Sequence, residues 1–422
     1  MSIVVDSGPA AVPEIGLPPG PTLSTSRLKR LLTGLAVFLG AFVIREPAPY
    51  EIFLAGLIPL FLLFGMRLGK TALSLAALLL VFNSGGLLAM LTMDDVKNIP
   101  VYLSISVFLA ATSVFWCAYI RSDAGSLRLI FRAYIAGAVV TSLAGIIGYF
   151  QVLPGAEAFT LYDRARGLFQ DPNVFGPFLI LPVLYLVYGL LYRNWVISVG
   201  RLALLAILLL GLFLSFSRGA WGTLLISSLI MYGALLATEK SATVKTRLIV
   251  MAVLGIAATT LVLVVALQFD AVAEMFDERA KLVQQYDGSH LGRFSRHLIG
   301  FEWALENPLG NGALEFGLKL GEDTHNIWVK ALMAYGWLGF AAWLTLTIIT
   351  IVGGGRLIQY DRPWRPYLIC TWAAFVAHIG LAWVIDIDHW RHVYLMIGII
   401  WGCMGLEANW KNELSLRTTS RE

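Results

Sequence analysis

Apolar and polar positions fall in long blocks along this chain, not in residue-by-residue alternation. Twelve continuous apolar stretches can be read, at approximately 28–44, 50–66, 71–92, 99–120, 129–151, 174–192, 200–214, 219–238, 246–267, 326–352, 366–385 and 391–406. Crossing the hydrocarbon core takes about 20 apolar residues, so these blocks predict membrane helices. Stretches 28–44 and 200–214 are short, which fits helices that are tilted, that extend into the interface, or that break where protein buries the backbone. Unbroken apolar runs exclude a β-barrel, whose strands alternate. The pattern therefore predicts an all-α polytopic membrane protein with about 12 transmembrane helices.

The one long polar stretch, 268–325, carries two further helical patterns. Val272, Met275, Phe276, Ala280 and Val283 recur at helical spacing, and Asp287-Gly288 ends that run. From about Leu291 to Glu306, Phe294, Leu298, Phe301 and Leu305 share one face, and Asn307-Pro308-Leu309-Gly310-Asn311-Gly312 closes the helix. Two amphipathic helices beside a membrane are expected to lie on it or to cap a cavity. The chain divides accordingly into a disordered cytoplasmic tail (1–26, rich in Pro, Gly and Ser), helices 1–9 (27–267), a helical loop (268–325), helices 10–12 (326–406) and a second tail (407–422). No internal repeat is visible.

Composition agrees with this pattern. Hydrophobic residues make up 58% of the chain and charged residues 14%, against roughly 25% charged in a soluble domain. The net charge of +4 matters less than its placement. With the amino terminus inside, 19 of the 31 Lys and Arg fall in cytoplasmic segments, among them Arg27, Lys29, Arg30, Arg121, Arg247 and Arg365. Both termini are then cytoplasmic, and the long loop faces the other side. Cys117, Cys370 and Cys403 lie inside apolar stretches without ligand spacing, so neither a disulfide framework nor a zinc site is indicated. No nucleic-acid partner is expected.

The charged motifs outside the cytoplasm are the candidate chemistry, because charge at membrane depth is costly and usually functional. Arg218, in Ser215-Phe216-Ser217-Arg218-Gly219-Ala220-Trp221, has almost no loop in which to snorkel. A guanidinium there can grip a diphosphate bidentately, and it serves equally well as an interfacial anchor beside Trp221. Arg293, Arg296 and His297 share a face where the second loop helix opens, a place that favours anions. For Arg296 and His297 a solvated basic face is the preferred reading. His325, in Asp323-Thr324-His325-Asn326, has the side chain suited to accept a proton at neutral pH. Arg164 and Arg166 precede Asp171-Pro172-Asn173, which suits a turn or helix start with its charges among headgroups or along a substrate path. Asp386-Ile387-Asp388 has the Asp-x-Asp form of metal–nucleotide sites, but it reads better as an ion-pair cluster in which Asp388 meets Arg391. His378 is expected to be a helix-packing histidine.

At these residues the chain resembles the O-antigen ligase superfamily of bacterial envelope glycosyltransferases. The resemblance runs from about Gly167 to Arg391. It includes Asp171-Pro172-Asn173, Ser217-Arg218-Gly219-x-Trp221, Gly292-Arg293, Trp303-Ala304-Leu305-Glu306-Asn307-Pro308-Leu309-Gly310-Asn311-Gly312, His325-Asn326 and Tyr335-Gly336-Trp337-Leu338-Gly339. In one respect the chain departs from related enzymes that place a catalytic acid in the first external loop, since here that loop offers only Glu46 and Glu51. The resemblance implies a GT-C-like protein of the bacterial inner membrane with its site facing the periplasm. Its implied reaction moves O-antigen from undecaprenyl diphosphate to the lipid A core oligosaccharide, without metal or other cofactor. By the same resemblance, Arg218 and Arg293 clamp the diphosphate and His325 is the general base. Arg166, Asn173, Arg296, Asp388 and Arg391 complete the expected substrate-binding set. A polymerase that uses an undecaprenyl-linked acceptor is the nearer alternative. A lipid or sugar transporter is the further one, although it would hold ionisable groups at the midplane of its helices.

Overall fold

The computed structural model describes residues 22–93, 96–97, 99–192, 198–280 and 292–419. Each apolar stretch forms a helix. The first part of the chain holds α1 (Thr22–Leu39), α2 (Pro49–Leu63), α3 (Lys70–Ala89), α4 (Ile99–Ser122) and α5 (Ser126–Tyr149). A two-stranded ribbon (β1, Thr160–Leu161; β2, Arg164–Ala165) then leads into α6 (Pro172–Phe178), α7 (Ile180–Tyr192), α8 (Ser198–Leu214), α9 (Arg218–Thr238) and α10 (Ala242–Ala266). The polar segment holds α11 (Asp270–Ala280), α12 (Arg293–Glu306) and α13 (Glu315–Leu320), and α14 (Ile327–Leu357), α15 (Arg365–Leu381) and α16 (Arg391–Thr419) complete the chain.

Among the described residues, eight helical segments are long and apolar enough to cross a membrane: α3, α4, α5, α6 with α7, α9, α10, α14 and α16. Their outward faces carry large exposed apolar side chains such as Leu80, Leu229, Leu254, Ile256 and Leu261. A surface of that kind needs lipid, not water, against it. The protein is thus a multi-pass membrane protein built of helices. The remaining stretches fold as α1, α2, α8 and α15, of 18, 15, 17 and 17 residues.

Two contacts set the packing of the central helices. Gly398 and Gly402, one turn apart on α16, face α4. A β-carbon at Gly398 would lie 2.7 Å from Trp116 Cβ, and one at Gly402 would lie 2.8 Å from Ile120 Cβ. The missing side chains let the two backbones approach, as is common between membrane helices. The second contact is a break in α14. Gly336 has φ +64 and ψ −177, so α14 is two helices joined at a kink. The loop after α12 fills the gap: the amides of Asn311 and Gly312 donate to the Met333 carbonyl (2.7 and 3.1 Å), and the Trp337 amide donates to the Pro308 carbonyl (3.0 Å). Trp337 Nε1 donates to the Ala304 carbonyl at 3.1 Å. The interrupted ladder is thus satisfied by protein, the condition under which non-helical backbone survives at membrane depth.

Two features differ from expectation, and a third resolves an alternative that the sequence left open. Residues 22–26, assigned to the disordered tail, belong to α1, and the tail from 407 continues α16 as far as Thr419. Glu407 there is buried and paired with Arg362 at 2.8 Å, which anchors the extension. The polar segment also gains α13, whose six residues are too few to show a periodic pattern. On α12, the face bearing Phe294, Leu298, Phe301 and Leu305 points away from the protein, whereas Ile299, Trp303 and Ala304 pack on Val329 and Met333. Gly300 and Ala304 are small enough for α12 to sit closely on α14, and the bulkier residues are left for lipid.

Gly336→Ala should therefore destabilise the protein. A β-carbon there would meet the Leu309 carbonyl oxygen at 2.5 Å in a left-handed backbone, a conformation costing a non-glycine residue roughly 1–3 kcal/mol before any clash. Gly255→Ala, with nothing within 4 Å of its new methyl, should change little. Thermal unfolding of the two variants in detergent, followed by tryptophan fluorescence, checks this, and equal midpoints would contradict it.

Candidate functional site

One end of the bundle gathers the candidate residues. His325 lies between α13 and α14 with φ +50, a left-handed value unusual for a residue with a β-carbon. The turn is pinned on its downstream side. Asn326 caps α14, its side-chain oxygen accepting from the amides of Trp328 (2.9 Å) and Val329 (3.3 Å). The Ile327 amide donates to the Ala382 carbonyl at the end of α15 (3.0 Å). The imidazole is partly open, with 35% of the side chain exposed, and its Nδ1 lies 4.0 Å from Asp386 Oδ2.

Arg218 is the first residue of α9. Ser217 caps that helix by accepting from the Ala220 amide at 3.3 Å. The preceding turn is held from outside: Arg164 Nε donates to the Ser215 carbonyl and another Arg164 nitrogen to Asn173 Oδ1, both at 2.8 Å. Gly219 packs on Leu381, the last residue of α15. The starts of α9 and α14 therefore meet the same helix end, which brings Arg218 and His325 to one region. A guanidinium at a helix start combines two features that favour an anion.

The other expected contacts are distributed differently. Arg293 opens α12, but its side chain lies outside the described residues. Arg296 is not on a solvated face: it is buried and ion-paired with Glu322, which ties α12 to the strand of chain just before His325. Arg166 braces its own loop by donating to the carbonyls of Ala158 (3.0 Å) and Gln170 (3.3 Å). Asn173 receives Arg164 and follows the Asp171 cap of α6. His378 is fully buried, its Nδ1 donating to the Ala374 carbonyl at 2.7 Å, as a packing histidine would.

The expected Asp388–Arg391 pair is not formed. Arg391 turns instead to Glu51 and Glu46 at the start of α2, the Glu46 contact measuring 3.0 Å. Asp388 is 1% exposed and is met by His389 Nδ1 (3.0 Å), the Tyr102 hydroxyl and Lys330 (3.8 Å). The reason is geometric. Asp388 lies in the turn before α16 and Arg391 begins the helix, so three residues of sequence do not put them on one helical face. The residue that sequence reading missed is Lys330, which also reaches Asp323 (2.9 Å) and Asp386 (3.4 Å). The signal available was a lysine inside an apolar stretch, five positions after His325.

These carboxyls titrate apart. Burial pushes Asp386 up, an effect that Lys330 only partly offsets and that Asp323 and Asp388 reinforce. Burial would also raise Asp388, but there Lys330, His389 and Tyr102 outweigh it and hold the carboxyl well below the usual range. Among the described residues, no group of three or more His, Cys, Asp or Glu is arranged to hold a metal ion.

Residues 202–344, about a third of the chain, match the family model described as O-antigen ligase. The match contains Arg218, Arg293, His325 and Lys330, so this segment of the chain is similar to that family. No curated protein matches the chain.

The Arg391 pair makes a testable claim about stability. Removing one partner of a buried ion pair leaves an uncompensated charge and costs about 3–5 kcal/mol, whereas removing both can be nearly neutral. Arg391→Ala should lower the thermal midpoint clearly, and adding Glu51→Gln should recover much of the loss. A double variant no more stable than the single would show that the pair is not what holds α2 to α16.

Proposed function

We propose that this protein is an O-antigen ligase that transfers O-antigen from undecaprenyl diphosphate to the lipid A core oligosaccharide, on the periplasmic face of a bacterial inner membrane. The observation that carries this reading is that the starts of α9 and α14, which bear Arg218 and adjoin His325 and lie within the matched segment, both meet the end of α15. In this reading the chain crosses the membrane twelve times, both termini are cytoplasmic, and α12 lies along the outer leaflet.

The chemistry follows from the two groups. His325, partly open to solvent and oriented by the pinned turn, removes the proton from an acceptor sugar hydroxyl. The hydroxyl oxygen attacks the anomeric carbon from the side opposite the diphosphate. A new glycosidic bond forms as the bond to the diphosphate oxygen breaks, and the configuration inverts. Undecaprenyl diphosphate departs with the bonding electron pair. Arg218, at the positive end of α9, meets the charge that develops there, and Arg293 at the start of α12 is assigned the second contact. Fixed donors aimed at developing charge are the commonest large contribution to catalysis. The diphosphate is a good leaving group, and the two guanidinium groups are assigned the neutralisation that a metal would otherwise supply.

The test is transfer by the purified full-length protein, with undecaprenyl-diphosphate glycan and lipid A core, in EDTA. Wild type should place glycan on the core. His325→Ala should lose roughly 10²–10⁴-fold, the range for a general base, and Arg218→Ala roughly 10²–10³-fold, the range for one lost charge-stabilising donor, each at unchanged protein abundance. Lengthening of the lipid-linked glycan without transfer to the core would replace the ligase by a polymerase. Full activity in His325→Ala would remove the base, and activity that needs added Mg²⁺ would remove the metal-free mechanism.

A further inference from the structure

Lys330 is a charged residue in the first turn of a membrane helix, with 7% of its surface exposed. Its ammonium nitrogen lies 2.9 Å from Asp323 Oδ2, 3.4 Å from Asp386 Oδ2 and 3.8 Å from Asp388 Oδ1, and 5.5 Å from the centre of the Tyr102 ring. The carboxylates come from two separate segments. Asp323 stands two residues before His325, while Asp386 and Asp388 lie between α15 and α16. Three acids gathered in a largely buried place stay ionised only with a cation among them. The sequence provides one from a third element, at the start of α14.

Asp386 connects this cluster to His325. Its Oδ2 faces both Lys330 and the imidazole, the latter at 4.0 Å. Its Oδ1 is buried with no hydrogen-bond partner among the described residues. The position of the carboxylate that flanks His325 is therefore set chiefly by Lys330. The same ammonium holds Asp323, two residues before His325, and Arg296 with Glu322 adds a second tie to the preceding residue.

We propose that Lys330 is the resident cation of this site, its ammonium shared by Asp323, Asp386 and Asp388, and that it positions His325 by fixing Asp386 beside the imidazole and Asp323 two residues before it. Lys330 is a positioning residue in this account, since it acts through the two aspartates. The acids of 386–388 then need no metal, because the fold supplies their counter-charge. The assignment rests on the reading of His325 as the base only for its effect on transfer. Its effect on stability is independent of that reading.

Lys330→Ala removes propylammonium from the side chain, so the experiment adds propylammonium chloride to the purified full-length variant at matched ionic strength. Without the additive, the thermal midpoint should fall. Transfer should drop about a hundredfold, the size expected when a reacting group is misplaced by about 1 Å. The loss should appear in kcat with little change in KM for the lipid-linked donor. Propylammonium should raise the midpoint of the variant and recover most of the lost transfer, while leaving wild type unchanged. A variant that behaves as wild type, or one that propylammonium does not restore, overturns the proposal. Recovery of the midpoint while wild type itself performs no transfer would sink the ligase reading and leave the cation in place. If Lys330→Ala does not accumulate, Lys330→Ala with Asp386→Asn removes a charge of each sign and should accumulate better. A double variant no better than the single also overturns the proposal.

Discussion

The constraint on which this structure depends is that every backbone amide and carbonyl inside a membrane must find a partner. The protein breaks a helix there and meets the constraint with its own chain. At Gly336 α14 divides, and the Asn307–Gly312 loop lends the amides and carbonyl that the ladder has lost. The upper piece of α14, released from the line of the lower one, carries Lys330 and the capped turn of His325. The loop that fills the break is the same loop that ends α12. The motif from Trp303 to Gly312 and the Tyr335-Gly336-Trp337 motif are thus two halves of one joint.

Charge is managed by the same economy. At the end of the bundle that holds the candidate site, three cations are each met by acids that the fold brings to them: Arg391 by Glu46 and Glu51, Lys330 by Asp323, Asp386 and Asp388, and Arg296 by Glu322. Buried pairs of this kind contribute little net stability, and their better-attested use is to specify one arrangement among several. Here they join α2 to α16, α14 to the 382–390 turn, and α12 to the residues before His325. The acids of the first external loop, Glu46 and Glu51, find their use in this framework.

The helices were legible in the sequence because long apolar runs leave few other options, and the break after Asn307 was legible because Pro and Gly stop helices. What was not legible follows from pairing in space. Asp388 and Arg391 are neighbours in sequence, yet a helix begins between them, and apart from His389 beside Asp388 their partners lie tens to hundreds of residues away. Arg296 looked like one of several basic residues on a wet face, because nothing local announces Glu322 twenty-six residues on. Lys330 was visible as a misplaced charge in an apolar run, but only the fold shows which acids surround it. The direction of α12 was likewise hidden. The pattern shows that Phe294, Leu298, Phe301 and Leu305 share a face, not whether protein or lipid covers it.

The helix α10 lies within the family-matched segment, yet Val253, Leu254, Ile256 and Leu261 are more than half exposed. What the helix must satisfy is set by the solvent that surrounds it, not by neighbours of fixed shape. Its letters are therefore nearly free to drift so long as their oiliness and number persist. Along this stretch ancestry should be recorded as length and hydropathy, while the spelling is retained in the turns at either end of it.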